Sequence, residues 1–447
     1  MTASSIGTAS RFDGEDYPAA ATAWYFIAIL ALATIVSYLD RQILNLLVDP
    51  IRRDLLISDT QISLLQGMTF SLFYAFAGLW IGGLIDRYNR RNIVIAGIFC
   101  WSLMTAYCGI ADTYWQLLIA RIGVAVGEAC LIPASYSLLG DLFDGTRRGR
   151  AAGVMSVGMA LGNGLSMVVS GLLIGALDPA TIASLPAFVP HVEWRLVFII
   201  VGLAGLPVLL LLLSVREPHR MGVAVAAAPA PFSDVLRFLR SNGAAIAALF
   251  GATAMMMAVS SGLLAWGPTI LIREMGMSRA NAGYSMGMSV LIGGAIGPLL
   301  MGYVSDRNVA SGKPAPRMRL FLLAGPTMMV AVLLVAFAQD PRMVLAGICL
   351  EMLSTIGLAT MLYTAIQDIC PNQLRGRVVA TGSVCVNLFG LGVGPTLVAV
   401  AKDAAWIEGA SLVQAYGIVG LPLVIVASAV AIAGFGPFAR AQARLAV

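Results

Sequence analysis

The chain has 447 residues, of which 59% are hydrophobic and 11% charged, and its 28 Lys and Arg against 23 Asp and Glu give a formal net charge of +5. A charged share this far below the usual quarter excludes an ordinary water-soluble domain and makes the bilayer the expected solvent. Six cysteines without paired spacing, and two histidines (His191 and His219) that fall in predicted loops, argue against a disulfide framework or a zinc site.

In chain order, residues 1–21 are polar, carry Asp13, Glu15 and Asp16, and lack the basic start and short apolar core of a cleaved signal peptide. Twelve apolar stretches follow, near 22–48, 60–83, 92–110, 114–139, 149–175, 196–214, 243–272, 281–304, 318–338, 342–367, 375–401 and 411–437. Each is long enough to cross a hydrocarbon core of about 30 Å as a helix. The runs are continuously apolar rather than alternating, so helices and not a barrel are expected. They divide six and six: a tail over 1–21, an N-terminal bundle over 22–214, a linker over 215–240, a C-terminal bundle over 241–437 and a tail over 438–447. Within the linker, Met221 to Pro231 has the Ala- and Pro-rich composition of a flexible connector. Phe232, Val235, Leu236 and Leu239 then fall at helical spacing with Arg237 and Arg240 opposite, the pattern of a short surface helix or of a plain start to the seventh span. The chain has no GxxxxGK[ST] phosphate loop, so uphill transport would draw on an ion gradient.

The basic residues are placed asymmetrically. Nineteen of the 28 lie in the tails and even-numbered loops and seven in the odd-numbered loops, which assigns both termini and the 82–92, 140–150, 215–240, 304–319 and 368–377 loops to the cytoplasm. The positive balance is therefore a topology signal and not a nucleic-acid footprint. A multi-pass protein of the bacterial inner membrane is expected.

The chain also repeats itself. Gly82-Gly83-Leu84-Ile85-Asp86-Arg87, followed by Arg90 and Arg91, recurs as Gly302-Tyr303-Val304-Ser305-Asp306-Arg307, followed by Lys313, Arg317 and Arg319. Asp141 with Arg148-Gly149-Arg150 recurs as Asp368 with Arg375-Gly376-Arg377. Duplication of a hydrophobic chain with matching charges points to two membrane bundles working against each other, the architecture of a transporter.

The stretch Gly82-x-Leu84-x-Asp86-Arg87-x-x-Arg90-Arg91 resembles the loop 2–3 signature of the major facilitator superfamily. Asn89 stands where the family normally has glycine, and both residue types tolerate left-handed backbone angles. Within the superfamily, roughly residues 37–150 resemble the Spinster group of lipid-linked transporters: Tyr38-Leu39-Asp40-Arg41, Asp86-Arg87-Tyr88-Asn89-Arg90, Trp101-Ser102-Leu103, Arg121 with Val126-Gly127-Glu128-Ala129, and Asp141-Leu142-Phe143. The resemblance implies an all-α polytopic fold of twelve transmembrane helices in two pseudo-symmetric six-helix bundles. It implies an amphipathic anionic substrate such as a lysophospholipid or sphingoid phosphate. It also implies a cytoplasmic gate, in which Asp86 meets the start of the eleventh helix near Arg375 and Asp306 the start of the fifth; Arg87, Arg90, Arg91, Arg307, Arg150 and Arg377 are its candidate cations.

Five charges fall inside the spans: Asp40, Arg41, Arg121, Glu128 and Glu351. A lone charge at the centre of a membrane helix costs about 2.5–3.5 kcal/mol, so such residues usually face a cavity and have partners. Arg121 and Glu128 are about two turns apart on one face of the fourth span, and Arg121 comes to the depth of Asp40. With no histidine in a span, carboxylates are left to carry protons: Asp40 and Glu128 are expected to titrate while Arg121 switches between them or engages the substrate. Arg41 would bind an anionic headgroup or snorkel outward. Glu351 reads as a second titrating carboxylate or as a local hydrogen-bond partner of Ser354 or Thr355. The expectation is a monomeric, proton-coupled, alternating-access carrier of a small amphipathic or anionic substrate, with the bilayer as its other partner and without metal or organic cofactor. A carrier of small organic or sugar acids is the alternative; a membrane enzyme lacks a nucleophile or ligand cluster, and a channel needs no paired gates.

Overall fold

A computed structural model describes residues 17–144, 147–186, 190–220, 232–371, 373–404 and 411–445. The predicted connector over 221–231 and most of the N-terminal tail lie outside these residues. Among them the chain is all helical, and twelve helices are long and apolar enough to cross a bilayer. They are α1 (Ala20–Leu46), α2 (Asp59–Arg87), α3 (Arg90–Cys108), α4 (Tyr114–Leu142), α5 (Arg148–Ala176), α6 (Glu193–Leu213), α7 (Gly243–Arg273), α8 (Arg279–Ala310), α9 (Met318–Ala336), α10 (Pro341–Ile369), α11 (Arg377–Asp403) and α12 (Leu412–Arg444). A separate helix, Phe232–Ser241, precedes α7. It buries Val235 and Phe238 and turns Arg237 outward, paired with Asp234 at 3.0 Å. Of the two sequence readings, the short amphipathic helix is the one that forms.

Four helices are interrupted, and proline accounts for two of the breaks. Pro133 supplies no N–H to the carbonyl four residues earlier, and α4 opens at Ala129 and Cys130 directly after Glu128. Pro207 has the same relation to Leu203, where α6 breaks. In α2, Leu64–Met68 forms a π-helical turn. A second π-helical turn, Val386–Gly392, lies in α11 ahead of Pro395.

Packing repeats the six-helix pattern. In the first half α1 lies against α5, α2 against α4, and α3 against α4 and α6; in the second, α7 lies against α11, α8 against α10, and α9 against α10 and α12. The duplicated charges sit at matching places. Arg90 pairs with Asp141 and Arg317 with Asp368, each pair 51 residues apart. Arg148 donates to the carbonyls of Gly140 and Phe143 at the end of α4, and Arg375 to those of Gln367 and Cys370 at the end of α10. Basic side chains thus cap the last carbonyls of both helices, where the dipole favours positive charge.

The two bundles meet through α5 with α8 and α2 with α11. Both crossings are tightest in the half away from the chain termini, and glycine makes them possible. A Cβ on Gly287 would stand 2.7 Å from the carbonyl oxygen of Gly164, and one on Gly171 would stand 2.9 Å from the backbone nitrogen of Tyr284. A Cβ on Gly67 would stand 2.9 Å from the carbonyl oxygen of Gly392. Ion pairs seal the same end. Arg273 of α7 reaches Asp49 at 2.6 Å and Asp59 at 3.1 Å, Lys402 of α11 reaches Asp59 at 2.8 Å, and Arg279 of α8 reaches Glu193 at 2.6 Å. At the face that carries the termini, Cβ atoms on Gly82, Gly83, Gly149, Gly153 or Gly302 would meet nothing within 4 Å. The molecule is closed at the face away from its termini.

Candidate functional site

The four membrane charges of the first half converge in the N-terminal bundle as two ion pairs. Consecutive residues on a helix project about 100° apart, so Asp40 and Arg41 of α1 reach different partners. Asp40 Oδ1 accepts from Arg121 Nη1 at 3.2 Å, and Asp40 Oδ2 accepts from the Thr105 hydroxyl of α3. Glu128 Oε2 accepts from Arg41 Nε at 2.6 Å. Asp40, Arg121 and Glu128 are almost wholly enclosed, whereas the Arg41 side chain keeps 24% of its surface exposed. Arg41 is thus the most accessible member of the quartet.

Aromatic rings from α1 and α2 surround that guanidinium. It lies 5.4 Å from the Tyr38 ring centre, 4.6 Å from Phe70 and 5.0 Å from Tyr74, and the Arg121 guanidinium in turn lies 5.5 Å from Phe70. A cation over an aromatic face gains about 0.5–2 kcal/mol, most where water is excluded. Two polar atoms are left over: Arg121 Nε and Glu128 Oε1 are buried without a hydrogen-bond partner. Each acid has one cation and each cation one acid, with spare hydrogen-bonding capacity on both sides. Such a site can exchange partners when an anion or a proton enters.

The expected Asp40–Arg121 pair forms. Arg41 does not snorkel; its side chain turns inward to Glu128. Glu351 is fully buried in α10, and its Oε1 accepts from Tyr416 of α12 at 3.1 Å while Oε2 has no partner. The local bonds considered for it are absent because the Ser354 hydroxyl is engaged by Leu350 O and Thr327, and Thr355 Oγ1 makes no hydrogen bond.

Among the described residues, Asp86, Arg87, Arg90, Arg91, Arg150, Asp306 and Arg307 take no part in the ion pairs that join the bundles. Asp86 and Asp306 are exposed, as are Arg87, Arg307 and Arg150, and Arg377 is half-buried in the first turn of its helix. Arg90 is spent within its own bundle on Asp141, Glu217 and Ser137, and Arg91 on the carbonyls of Leu212 and Leu213. The inter-bundle contacts described above lie at the other end, which sequence reasoning missed. Asp49, Asp59, Arg273 and Lys402 were readable only as charges beside span ends. Asp59 is the hub: its side chain is fully enclosed and pairs with Arg273, Lys402 and, at 3.1 Å, Arg52.

Comparison with known proteins adds the lineage of this arrangement. The sequence profile of the Major Facilitator Superfamily matches residues 30–395. An MFS-type efflux pump of Mycolicibacterium smegmatis is 28% identical over 392 residues, covering 86% of this chain and 85% of its own. A probable L-galactonate transporter of Escherichia coli is 29% identical over 346 residues, covering 69% and 71%. Among solved structures, a bacterial homolog of the human lysosomal transporter Spinster, inward-facing and unoccupied, superposes with a TM-score of 0.75 at 25% identity over 95% of this chain and 98% of that one.

Proposed function

The chain belongs to the Major Facilitator Superfamily, a family of transporters, and we propose that it works as a proton-coupled, alternating-access carrier of an amphipathic anion. The carrying observation is the quartet of Asp40, Arg41, Arg121 and Glu128, two ion pairs held against aromatic rings in the membrane interior. Arg41, the exposed cation, receives the anionic headgroup. Its departure from Glu128 leaves a buried carboxylate without a counter-charge, and that carboxylate takes up a proton. Asp40 does the same when Arg121 moves. Anion and proton therefore load together, and Tyr38, Phe70 and Tyr74 offer the apolar wall beside the headgroup.

The Lys and Arg bias assigns the face with the termini to the cytoplasm. On that assignment the present state is open inward, with Asp59 and its cations locking the external gate. In the opposite state Asp86 and Asp306 would close the internal gate against α11 and α5. Glu351 is a second carboxylate available to the cycle.

A small hydroxylated acid is the second reading. It is favoured by the buried amides Gln42 and Asn45 and the half-buried Asn163 next to the quartet and by the likeness to the L-galactonate transporter. Uptake into proteoliposomes separates the two: L-galactonate and a lysophosphatidylglycerol are offered with and without an imposed pH gradient. Saturable, gradient-stimulated movement of the lysolipid supports the first reading, and of the sugar acid alone the second. No gradient effect on either overturns proton coupling.

A further inference from the structure

One turn beyond the quartet, toward the closed face, four amide side chains form a hydrogen-bonded chain. Asn163 of α5 accepts from Gln42 at 3.1 Å, Gln42 accepts from Asn45 at 2.8 Å, and Asn45 accepts from Gln66 of α2 at 3.0 Å. The chain then crosses to the other bundle. Asn45 Nδ2 also donates to the carbonyl of Leu264 at 3.3 Å, and Gln66 Nε2 to that of Ala265 at 3.2 Å, both in α7. Gln42 and Asn45 are about 5% and 6% exposed, so water competes little for these groups.

The carbonyl that Asn45 takes is a particular one. Pro268 lies four residues after Leu264 inside α7 and has no N–H to give it. Leu264 O therefore lacks its helical donor, and a buried carbonyl left unmade costs about 1–3 kcal/mol. Asn45 fills the vacancy from the opposite bundle. Ala265 differs, because Thr269 follows it at the same interval and has an N–H. Helix α7 is fastened to its own side by Trp266, whose indole donates to Pro395 O at 2.9 Å, and by Ser261, which donates to Gly390 O at 2.7 Å. When the bundles separate at this face, the Asn45 bond must break while those two persist.

The placement also ties the latch to the quartet. Asn45 follows Arg41 by four residues, and Gln66 precedes Phe70 by four, so each shares a helix face with a member of the charged site. A shift of Arg41 off Phe70 is felt one turn away by both latch residues.

We propose that Asn45, through the Leu264 carbonyl freed by Pro268, and Gln66, through the neighbouring Ala265 carbonyl, are positioning residues that hold α7 and so couple the charged site to closure of the face away from the termini. The proposal rests on the alternating-access reading. Its test measures distances in nanodiscs between spin labels carried by unnatural amino acids at the exposed Trp115 and Arg342, the starts of α4 and α10 on that face, which leaves the native cysteines in place. Asn45→Ala is expected to raise the ratio of open to closed populations about fivefold, the order of one lost hydrogen bond. In a Pro268→Ala background, whose new N–H serves Leu264 O, that effect should fall below about twofold. Gln66→Met, which touches a carbonyl with its own donor, should act equally in both backgrounds and keeps the test alive if Asn45→Ala does not fold. The dependence of the ratio on pH should also flatten in Asn45→Ala, which a passive packing contact would not do. An Asn45→Ala effect of equal size in the wild-type and Pro268→Ala backgrounds overturns the latch. A single fixed distance in every variant and at every pH contradicts alternating access instead.

Discussion

Arg41 and Glu128 make the sharpest demand at the scale of single residues. If the anion displaces Arg41 and Glu128 then binds one proton, apparent affinity should improve by about tenfold per pH unit on acidification across the range where the freed carboxyl titrates. Binding titrations with lysophosphatidylglycerol at several pH values check this, and Glu128→Gln should flatten the slope. Arg41→Lys keeps the charge but loses the planar fork and the stacking on Phe70 and Tyr74. It should weaken binding roughly tenfold in the same titration while the protein stays folded. The ionisable residues were legible in the sequence because charge inside an apolar span is conspicuous. Their pairing was only half legible: Asp40 with Arg121 follows from depth, but whether Arg41 turns in or out depends on the aromatic cage supplied by α2. Glu351 finds Tyr416, a partner on a helix no local pattern identifies.

At the scale of elements, proline and glycine decide where helices bend and touch. The α4 break sits directly after Glu128, and Pro133 gives it a local cause. Gly287 faces Gly164 so closely that a Cβ cannot fit without moving a backbone. Gly287→Ala should therefore push α5 from α8 at a cost of about 1–3 kcal/mol to the closed face. The Trp115–Arg342 distance distribution should shift toward longer values. The twelve spans were readable from continuous hydropathy, although α8 and α12 run on to Ala310 and Arg444, past the expected ends at 304 and 437. Their crossings were not, because a glycine under a partner helix and a glycine facing lipid look the same in one sequence. Gly283 and Gly287 stand at G-x-x-x-G spacing, a signal of close packing that does not say which helix packs there. The π-helical turn of α2 had no signal either.

The whole molecule is two duplicated bundles that share the loop pairs Arg90–Asp141 and Arg317–Asp368, while the membrane quartet belongs to the first bundle alone. Asp59 gathers cations from both bundles, and removing its charge leaves Arg273 and Lys402 without a shared anchor. Asp59→Asn should destabilise the closed face by about 1–3 kcal/mol and raise the open population by the same distance measurement. High salt should imitate it in part, since Arg52, Arg273 and Lys402 remain partly exposed. Duplication was legible because it keeps motifs at equal spacing. The closed face was not, because the repeated Asp86 and Asp306 lie exposed at the opposite face, and the ion pairs that join the bundles gather on Asp59, outside the repeated motifs.

Everything proposed for the quartet turns on whether protons are coupled to transport through Asp40 and Glu128. Proteoliposomes loaded with a pH-sensitive dye, given an anionic lysolipid and no other gradient, test it most directly. Protons should move together with the lysolipid in the wild-type protein, and should not move in a Glu128→Gln, Asp40→Asn double variant that still exchanges lysolipid across the membrane. Equal proton movement in the two proteins, at equal lysolipid flux, would contradict it.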